Sequence, residues 1–254
     1  MKAVIPVAGV GTRLRPHTYS YPKPLIPVAG KPILSYIIEH LQKAGIEEFV
    51  FIVGYLGDKI IDFVNEKFPN LKAEFVFQNN REGLGHAILA AEKLINNEPI
   101  IIVLGDTIVD SDIDEILNEE TSTLGIKKVD DPRNFGVASL DKDNFITQLV
   151  EKPSIPKSNL ALVGIYKILE TEKLMDSIKY LIENNIKTNE EFHLTDALNY
   201  MVSHFEVKIK AVTINNWFDL GKSDILLETN AILLKKYKSK LDYSEQCINS
   251  IIIP

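Results

Sequence analysis

Apolar positions in the first 110 residues alternate between continuous runs and runs with a helical period. Continuous apolar runs are typical of strands buried on both faces of a parallel sheet, and they occur at residues 3–9, 48–54, 73–78 and 99–106. The intervening segments carry apolar side chains on one helical face, and they are residues 33–45, 56–68 and 85–95. This alternation predicts a doubly wound α/β sheet over residues 1–110.

The pattern changes after residue 110. Further strands are predicted with no long helix between most of them, at residues 123–129, 135–141, 145–152 and 159–168. Two helical segments follow, at 170–184 and 194–203, and then a strand at 207–214, a loop at 215–221 and a helix from about Ser223 to Lys240. The second half therefore predicts a mixed sheet.

Composition places the chain among folded proteins of one or two domains. Its 254 residues are 45% hydrophobic and 25% charged, with a net charge of −7, the wrong sign for a protein whose main partner is nucleic acid or an anionic membrane. The single cysteine, Cys247, cannot form an intramolecular disulfide or a multi-cysteine metal site, which favours a reducing compartment and therefore the cytoplasm. We expect no signal peptide and no membrane span.

The clearest chemical signal is the loop Ala8-Gly9-Val10-Gly11-Thr12-Arg13-Leu14, which directly follows the first predicted strand. Glycines let backbone N–H groups approach phosphate oxygens, and arginine adds a cation suited to phosphate. A dinucleotide-binding fingerprint would need a glycine in place of Leu14, and no Walker A sequence is present. Taken alone, the loop also fits an ordinary turn between a strand and a helix.

A second motif follows closely, with Lys23 held between prolines in the sequence YPKPLIPVAGKPI at residues 21–33. Together the two motifs resemble the opening signature of the sugar nucleotidyltransferases, also called NDP-sugar pyrophosphorylases. Further matches in the family's order are FQNNREGLGHAI, IVLGDTI, FGVASLD, VEKP, LALVGIY, EFHLTDAL and WFDLG. The resemblance covers nearly the whole chain.

The resemblance implies a reaction in which a nucleoside triphosphate and a sugar 1-phosphate give an NDP-sugar and pyrophosphate, with Mg²⁺ as cofactor. It also implies a Rossmann-like α/β domain with a small added sugar-binding β portion. On this basis residues 1–240 are expected to be one catalytic domain. Its nucleotide-binding half is 1–110, its sugar-phosphate half is 111–222 and its C-terminal helix is 223–240.

Family roles can be assigned only at matching positions. Ala8, Gly9, Gly11 and Thr12 would wrap the nucleotide phosphates, and Arg13 and Lys23 would be the catalytic cations. Positioned cations suit the reaction, because negative charge builds on the α-phosphate and on the leaving pyrophosphate.

Asp106 and Asp219 are the expected magnesium ligands, and Asp106 also counts among the expected catalytic residues. Asp106 ends a predicted buried strand, where ligands bind in open α/β sheets, and Mg²⁺ prefers oxygen ligands. The family brings Asp219, in WFDLG, to the same ion. Either aspartate taken singly would more often be a turn or cap residue.

The segment that reads the base in this family contains Gln78 and Gly83. A glutamine amide can pair with O4 and N3–H of uracil or thymine, and glycine leaves room for a base. Guanine offers the same acceptor and donor at O6 and N1–H, so Gln78 does not exclude GTP.

The sugar-phosphate residues rest on the family pattern alone. Lys152 would hold the sugar phosphate and also count among the catalytic residues, Glu151 would accept sugar hydroxyls, and Gly136 and Val163 would form part of the pocket wall. The five histidines share no metal-binding spacing and are interpreted as surface or satisfied core residues. His193 stands where many members of the family have Gln or Glu.

These features favour an enzyme that makes dTDP- or UDP-glucose from dTTP or UTP. Two alternatives remain: the same chemistry with GTP and mannose 1-phosphate, or a silent nucleotide-sugar-binding subunit that regulates an active partner.

The last residues, 241–254, end in three isoleucines and a proline. They resemble the lead-in to the left-handed β-helix that longer family members carry. We therefore expect this tail to come from such a form, or to pack on its own domain or on a second subunit of a homo-oligomer; a short edge strand on the catalytic domain would explain it equally well.

Overall fold

Strands from both halves of the chain combine in one mixed sheet. The computed structural model describes residues 1–110, 113–221 and 223–238. Its strands are β1 (Lys2–Pro6), β2 (Pro27–Val28), β3 (Lys31–Pro32), β4 (Glu48–Val53), β5 (Lys72–Phe77), β6 (Ile100–Val103), β7 (Thr107–Val109), β8 (Ser122–Lys128), β9 (Gly136–Leu140), β10 (Ile146–Glu151), β11 (Leu160–Ile168), β12 (Ile209–Thr213) and β13 (Trp217–Asp219).

Within the described residues, nine of these strands form the main sheet. Its order is β10-β9-β11-β6-β1-β4-β5, and β8 joins β11 to β12. The strands β6, β1, β4 and β5 are mutually parallel, as the continuous apolar runs predict. The neighbouring β11 runs antiparallel to β6, so the sheet becomes mixed where the second half begins.

Helices cover both faces of this sheet. They are α1 (Ile33–Lys43), α2 (Gly57–Lys67), α3 (Leu84–Ala90), α4 (Glu92–Ile95), α5 (Asp114–Asn118), α6 (Thr171–Glu183), α7 (Leu194–His204) and α8 (Ser223–Lys238). Successive residues of β1 face opposite layers of the core: Ala3 and Ile5 pack in one apolar cluster and Val4 in the other. None of the helices in the described ranges has the length and apolar character to cross a bilayer.

Two local predictions are wrong. The helix predicted at 85–95 is divided in two at Ala91, which lies outside α-helical geometry at φ −90° and ψ 1°. The loop predicted at 215–221 contains the short strand β13, which pairs antiparallel with β7. Three-residue strands carry too little periodicity to be read from sequence.

The predicted strands at 3–9 and 99–106 also end early, at Pro6 and Val103. The residues that follow them turn away from the sheet at the carboxyl ends of parallel strands, where an open α/β sheet leaves a crevice. The expectations for the tail, including Cys247, lie outside the described residues.

Candidate active site

The glycine loop after β1 has a backbone that other residues adopt with difficulty. Gly11 has φ +65°, and a Cβ added to it would lie 3.0 Å from both Lys23 Cβ and Thr18 Cγ2. The Thr18 hydroxyl donates a hydrogen bond of 2.9 Å to the Gly11 carbonyl. By contrast, nothing lies within 4 Å of a Cβ added to Gly9. The loop is thus fixed on one side and open on the other.

That open side faces a cleft of about 480 Å³. Its lining includes every residue that the sequence assigns to the nucleotide, namely Ala8, Gly9, Gly11, Thr12, Gln78 and Gly83, and also Lys23 and Asp106. These residues come from loops that follow β1, β5 and β6, so the cleft lies at the carboxyl ends of parallel strands. A nucleotide-sized crevice at this place is the expected binding position in an open α/β sheet.

Lys23 and Asp106 form a direct ion pair in the cleft. Lys23 Nζ lies 2.5 Å from Asp106 Oδ2, and the two side chains are 11% and 31% exposed. Lys23 belongs to a short 3-10 turn whose residues Lys23, Pro24 and Leu25 are all buried. The prolines predicted to stiffen this segment therefore bring a lysine into a mostly desolvated position beside a carboxylate.

The pairing of β7 with β13 brings Asp219 beside Asp106. Asp219 is in register with Thr107, and the Leu220 N–H donates a hydrogen bond of 3.0 Å to the Asp106 carbonyl. Burial and the Asp106 charge raise the pKa of Asp219, while the Lys23 and Arg13 charges oppose that rise. Asp106 and Asp219, which are far apart in sequence, are thus held close together. Their mutual repulsion costs free energy, and a bound cation would reduce that cost.

Arg13 also lies close to Asp219, but outside the cleft. Its guanidinium lies against the turn after β13, with Nη2 3.2 Å from a Cβ added to Gly221. The Arg13 side chain is exposed, and the residue is not among those that line the cleft. In this structure Arg13 is next to the predicted metal ligands, at the edge of the phosphate loop.

The base segment is tightly closed around Gly83. Gln78 Nε2 donates a hydrogen bond of 3.1 Å to the Gly83 carbonyl, and Gln78 is 8% exposed. Gly83 has φ +109°, and an added Cβ would lie 2.5 Å from the Phe192 carbonyl oxygen. Glycine is required here by the close approach of another backbone, in addition to any room it leaves for a base.

Three of the four residues predicted for the sugar phosphate meet around the Glu151 carboxylate. Glu151 Oε2 accepts a hydrogen bond of 2.6 Å from the Thr195 hydroxyl, and Oε1 lies 3.3 Å from Lys152 Nζ. A Cβ added to Gly136 would lie 2.8 Å from Thr195 Oγ1 and 3.2 Å from Glu151 Oε2. The fourth residue, Val163, is 1% exposed, and its side chain packs toward Gly125 of β8.

The group of residues around the Glu151 carboxylate, which we call the sugar cluster after its predicted role, lies next to the cleft but is separate from it. Tyr166 is 5% exposed, and the pKa of its hydroxyl is raised by burial first and then by the charges of Glu151 and Asp106. The negative charges of Glu151, in the sugar cluster, and of Asp106, in the cleft, therefore both act on the Tyr166 hydroxyl.

Several residues at the site have no role in the sequence analysis. Arg81 and Glu191 line the cleft, while Thr195 and His193 contact Glu151. All four lie inside the motifs FQNNREGLGHAI and EFHLTDAL, so the motifs did mark these parts of the chain. The sequence could not show which residues the four contact, because their partners are distant in sequence. The interpretation of the histidines as satisfied is wrong for the buried His193, whose Nε2 makes no hydrogen bond within the described part of the chain.

Comparison with known proteins identifies the family to which the chain belongs. A model of the nucleotidyl transferase family matches residues 2–236. A bifunctional GlmU protein from Methanococcus maripaludis is 40% identical over 246 residues, which cover 95% of this chain and 56% of that protein. A glucose-1-phosphate thymidylyltransferase from Streptomyces griseus is 32% identical over 249 residues, covering 95% of this chain and 68% of that protein. The chain thus spans little more than half the length of the GlmU relatives.

Solved structures confirm the predicted fold class, an α/β fold with a Rossmann-like mixed sheet. A UDP-glucose pyrophosphorylase complexed with UDP-glucose superposes with a TM-score of 0.80 at 27% identity, covering 92% of this chain and 98% of that one. A putative glucose-1-phosphate thymidylyltransferase from Bacillus anthracis gives a TM-score of 0.78 at 26% identity, covering 97% and 98%. The resemblance seen in the motifs is confirmed, and the chain belongs to the nucleotidyl transferase family.

Proposed function

We propose that this chain transfers a nucleotidyl group from dTTP or UTP to glucose 1-phosphate, giving an NDP-glucose and pyrophosphate. One observation carries the proposal: the Lys23–Asp106 pair, Asp219 and Arg13 converge where the glycine loop borders the cleft. Because the chain spans only part of its GlmU relatives, the proposal concerns the activity of this portion.

The reaction has a simple balance. An oxygen of the sugar phosphate forms a bond to the α-phosphorus, and the bond from that phosphorus to the pyrophosphate oxygen breaks. Lys23 and Arg13 would offset the charge that develops on the phosphate oxygens, while backbone N–H groups of residues 8–12 would orient the triphosphate. Lys152 would hold the sugar phosphate, and Glu151 would accept sugar hydroxyls.

Asp106 and Asp219 are suited to hold Mg²⁺. Asp106 and Asp219 are two adjacent carboxylates that form a hard-oxygen donor pair, and the Asp106 charge contributes to the raised pKa of Asp219. Across the described ranges no group of three or more His, Cys, Asp or Glu side chains is arranged as a metal site, and Mg²⁺ commonly takes one or two carboxylates with substrate phosphates. When bound, the ion would neutralise phosphate charge.

The pyrimidine assignment rests on the base segment. Because Gln78 Nε2 is anchored to the Gly83 carbonyl, the amide has a fixed orientation beside the cleft. An oriented amide can distinguish hydrogen-bonding edges of a base better than a mobile one. The names of two similar proteins, a thymidylyltransferase and a UDP-glucose pyrophosphorylase, also refer to pyrimidine nucleotides.

A substrate panel tests the proposal directly. The values of kcat/KM are compared for dTTP, UTP, CTP, GTP and ATP, each with the 1-phosphates of glucose, galactose, mannose and N-acetylglucosamine and with Mg²⁺. The highest value is expected for dTTP or UTP with glucose 1-phosphate. A tenfold or greater preference for GTP with mannose 1-phosphate would show that the base assignment is wrong while the reaction class stands.

Thermal shift with the same nucleotides separates an enzyme from a silent binding subunit. A ligand at 100 times its Kd stabilises the folded chain by about 2.7 kcal/mol, whether or not it reacts. Stabilisation without turnover for every pair would support the silent subunit and overturn the enzyme proposal.

A further inference from the structure

A short segment joins the base loop to the sugar carboxylate. It consists of residues 191–195, Glu-Phe-His-Leu-Thr, and leads into helix α7. We call it the bridge segment. Its two ends have different contacts: Glu191 lines the nucleotide cleft, whereas His193 and Thr195 contact Glu151.

The first end of the bridge segment is fixed by backbone contacts to the base loop. The Phe192 N–H donates to the Glu82 carbonyl at 2.7 Å, and the Gly85 N–H donates to the Phe192 carbonyl at 2.8 Å. Gly83 lies between these two bonds and packs directly on the Phe192 backbone. Such paired backbone hydrogen bonds leave the bridge segment little freedom to move relative to the loop that carries Gln78.

The second end of the segment lies against both oxygens of Glu151. The Thr195 hydroxyl donates a hydrogen bond of 2.6 Å to Oε2, and His193 Nδ1 lies 3.5 Å from Oε1, which Lys152 Nζ also approaches at 3.3 Å. The Glu151 and His193 side chains are 9% and 8% exposed. A carboxylate so far removed from water needs oriented donors, because each lone pair left without a partner costs free energy.

His193 is placed between two carboxylates. Its Nε2 atom lies 3.9 Å from Glu191 Oε2, too far for a hydrogen bond, and finds no other acceptor in the part of the chain described here. The ring nitrogen that His193 directs at the site is therefore Nδ1, which faces Glu151.

From these contacts we infer that Thr195 and His193 are positioning residues that orient the Glu151 carboxylate toward the hydroxyls of the bound sugar. The inference rests on the proposed function, which gives Glu151 that role, and adds the residues that make it effective. A free carboxylate would rotate about its terminal bond, whereas one that accepts a hydrogen bond at Oε2 and packs against His193 at Oε1 presents its remaining lone pairs in one direction.

Thr195 gives the sharper test, by steady-state kinetics with UTP and glucose 1-phosphate. Thr195→Val removes the donor with little change in shape, and we expect KM for glucose 1-phosphate to rise at least tenfold while KM for UTP changes less than twofold. Thr195→Ser keeps the hydroxyl and should restore most of the affinity. Thr171→Val is the matched control, since Thr171 is also buried in the first turn of a helix and donates a hydrogen bond of 2.8 Å to the Glu98 carbonyl, away from the site.

His193 is tested with two variants and a double-mutant cycle. His193→Asn retains an N–H near the Nδ1 position and should be milder than His193→Leu in its effect on KM for glucose 1-phosphate. If both residues act through Glu151, Thr195→Val and His193→Leu should each change KM for the sugar phosphate less than twofold in a Glu151→Gln background.

The outcomes separate the two proposals. Wild-type turnover together with an unchanged KM for glucose 1-phosphate in Thr195→Val would overturn the inference and leave the proposed function intact. Equal changes in both KM values, or the same changes in Thr171→Val, would reduce the role to general stability and also overturn it. A wild-type chain that neither binds nor turns over glucose 1-phosphate in the presence of either dTTP or UTP, by calorimetry and by product assay, would contradict the proposed function and this inference together.

Discussion

The nucleotide cleft and the sugar cluster are built in opposite ways. The lining of the cleft includes glycines at residues 9, 11 and 83, in loops at the carboxyl ends of parallel strands. The sugar cluster is built from side chains: the buried Glu151 carboxylate accepts a hydrogen bond from Thr195 and lies close to Lys152 and His193. Loops of glycine can accommodate large, flexible phosphates, whereas small hydroxyl groups need donors and acceptors at fixed positions.

The two regions therefore respond differently to substitution. A change in the cleft should affect the whole triphosphate and the chemical step, because charge develops there. A change in the sugar cluster should affect binding of one substrate and little else. The following predictions test this contrast, beginning with the largest effect.

Asp106→Asn and Asp219→Asn should each lower kcat by about 10³-fold or more, because a neutral amide holds a metal ion poorly and the reaction depends on charge neutralisation. Their effects on stability should differ. Asp219→Asn removes a buried charge next to Asp106, so Tm should not fall. Asp106→Asn takes the charged partner from the half-buried pair with Lys23, so Tm should fall. Scanning calorimetry measures Tm, and Mg²⁺-dependent turnover measures kcat. Full activity in either variant would contradict the two-carboxylate site.

Arg13→Ala should lower kcat by about 10²-fold with a smaller change in KM for the nucleotide, provided that the guanidinium contact strengthens as charge develops. The position of Arg13 beside Asp219 and Gly221, outside the cleft lining, is the physical reason to expect a small effect on ground-state binding. Arg13→Lys retains the charge but not the planar fork and should be intermediate. A change confined to KM would make Arg13 a binding residue instead.

Gly83→Ala should raise KM for the nucleotide and also destabilise the fold. The φ of +109° costs an L-residue about 1–3 kcal/mol, and the new Cβ would lie 2.5 Å from the Phe192 carbonyl oxygen. Gly45→Ala is the matched control, because Gly45 has φ +83° with nothing within 4 Å of an added Cβ. That control should show the cost of backbone strain alone, about 1–2 kcal/mol, with unchanged kinetics. Equal losses in the two variants would mean that the contact with Phe192 is unimportant.

The contrast between the nucleotide cleft and the sugar cluster also explains which features could be predicted from the sequence. The parallel strands β1, β4, β5 and β6 and the phosphate loop were predictable, because strand periodicity and loop glycines are local features. The meeting of Asp106 with Asp219 needed the family pattern, since the three-residue strands β7 and β13 that pair them leave no readable period. The role of Thr195 at Glu151 could not be read at all, because a threonine in the first turn of a helix is ordinary until its distant partner is known.

The smallest expected effect is that of Gly136→Ala, which adds the same methyl group as Gly83→Ala but on the sugar side. Here the new Cβ would meet only the ends of side chains, 2.8 Å from Thr195 Oγ1, 2.9 Å from Leu162 Cδ1 and 3.2 Å from Glu151 Oε2, and the backbone conformation is not a left-handed one. Side-chain ends can shift by a few tenths of an ångström, so the Glu151 carboxylate should be displaced without loss of the fold. We expect about a fivefold rise in KM for the sugar 1-phosphate, equivalent to about 1 kcal/mol, with KM for the nucleotide and Tm nearly unchanged. Kinetics with each substrate varied in turn would decide: a rise in KM for the nucleotide as large as that for the sugar phosphate would show that the two regions do not act separately.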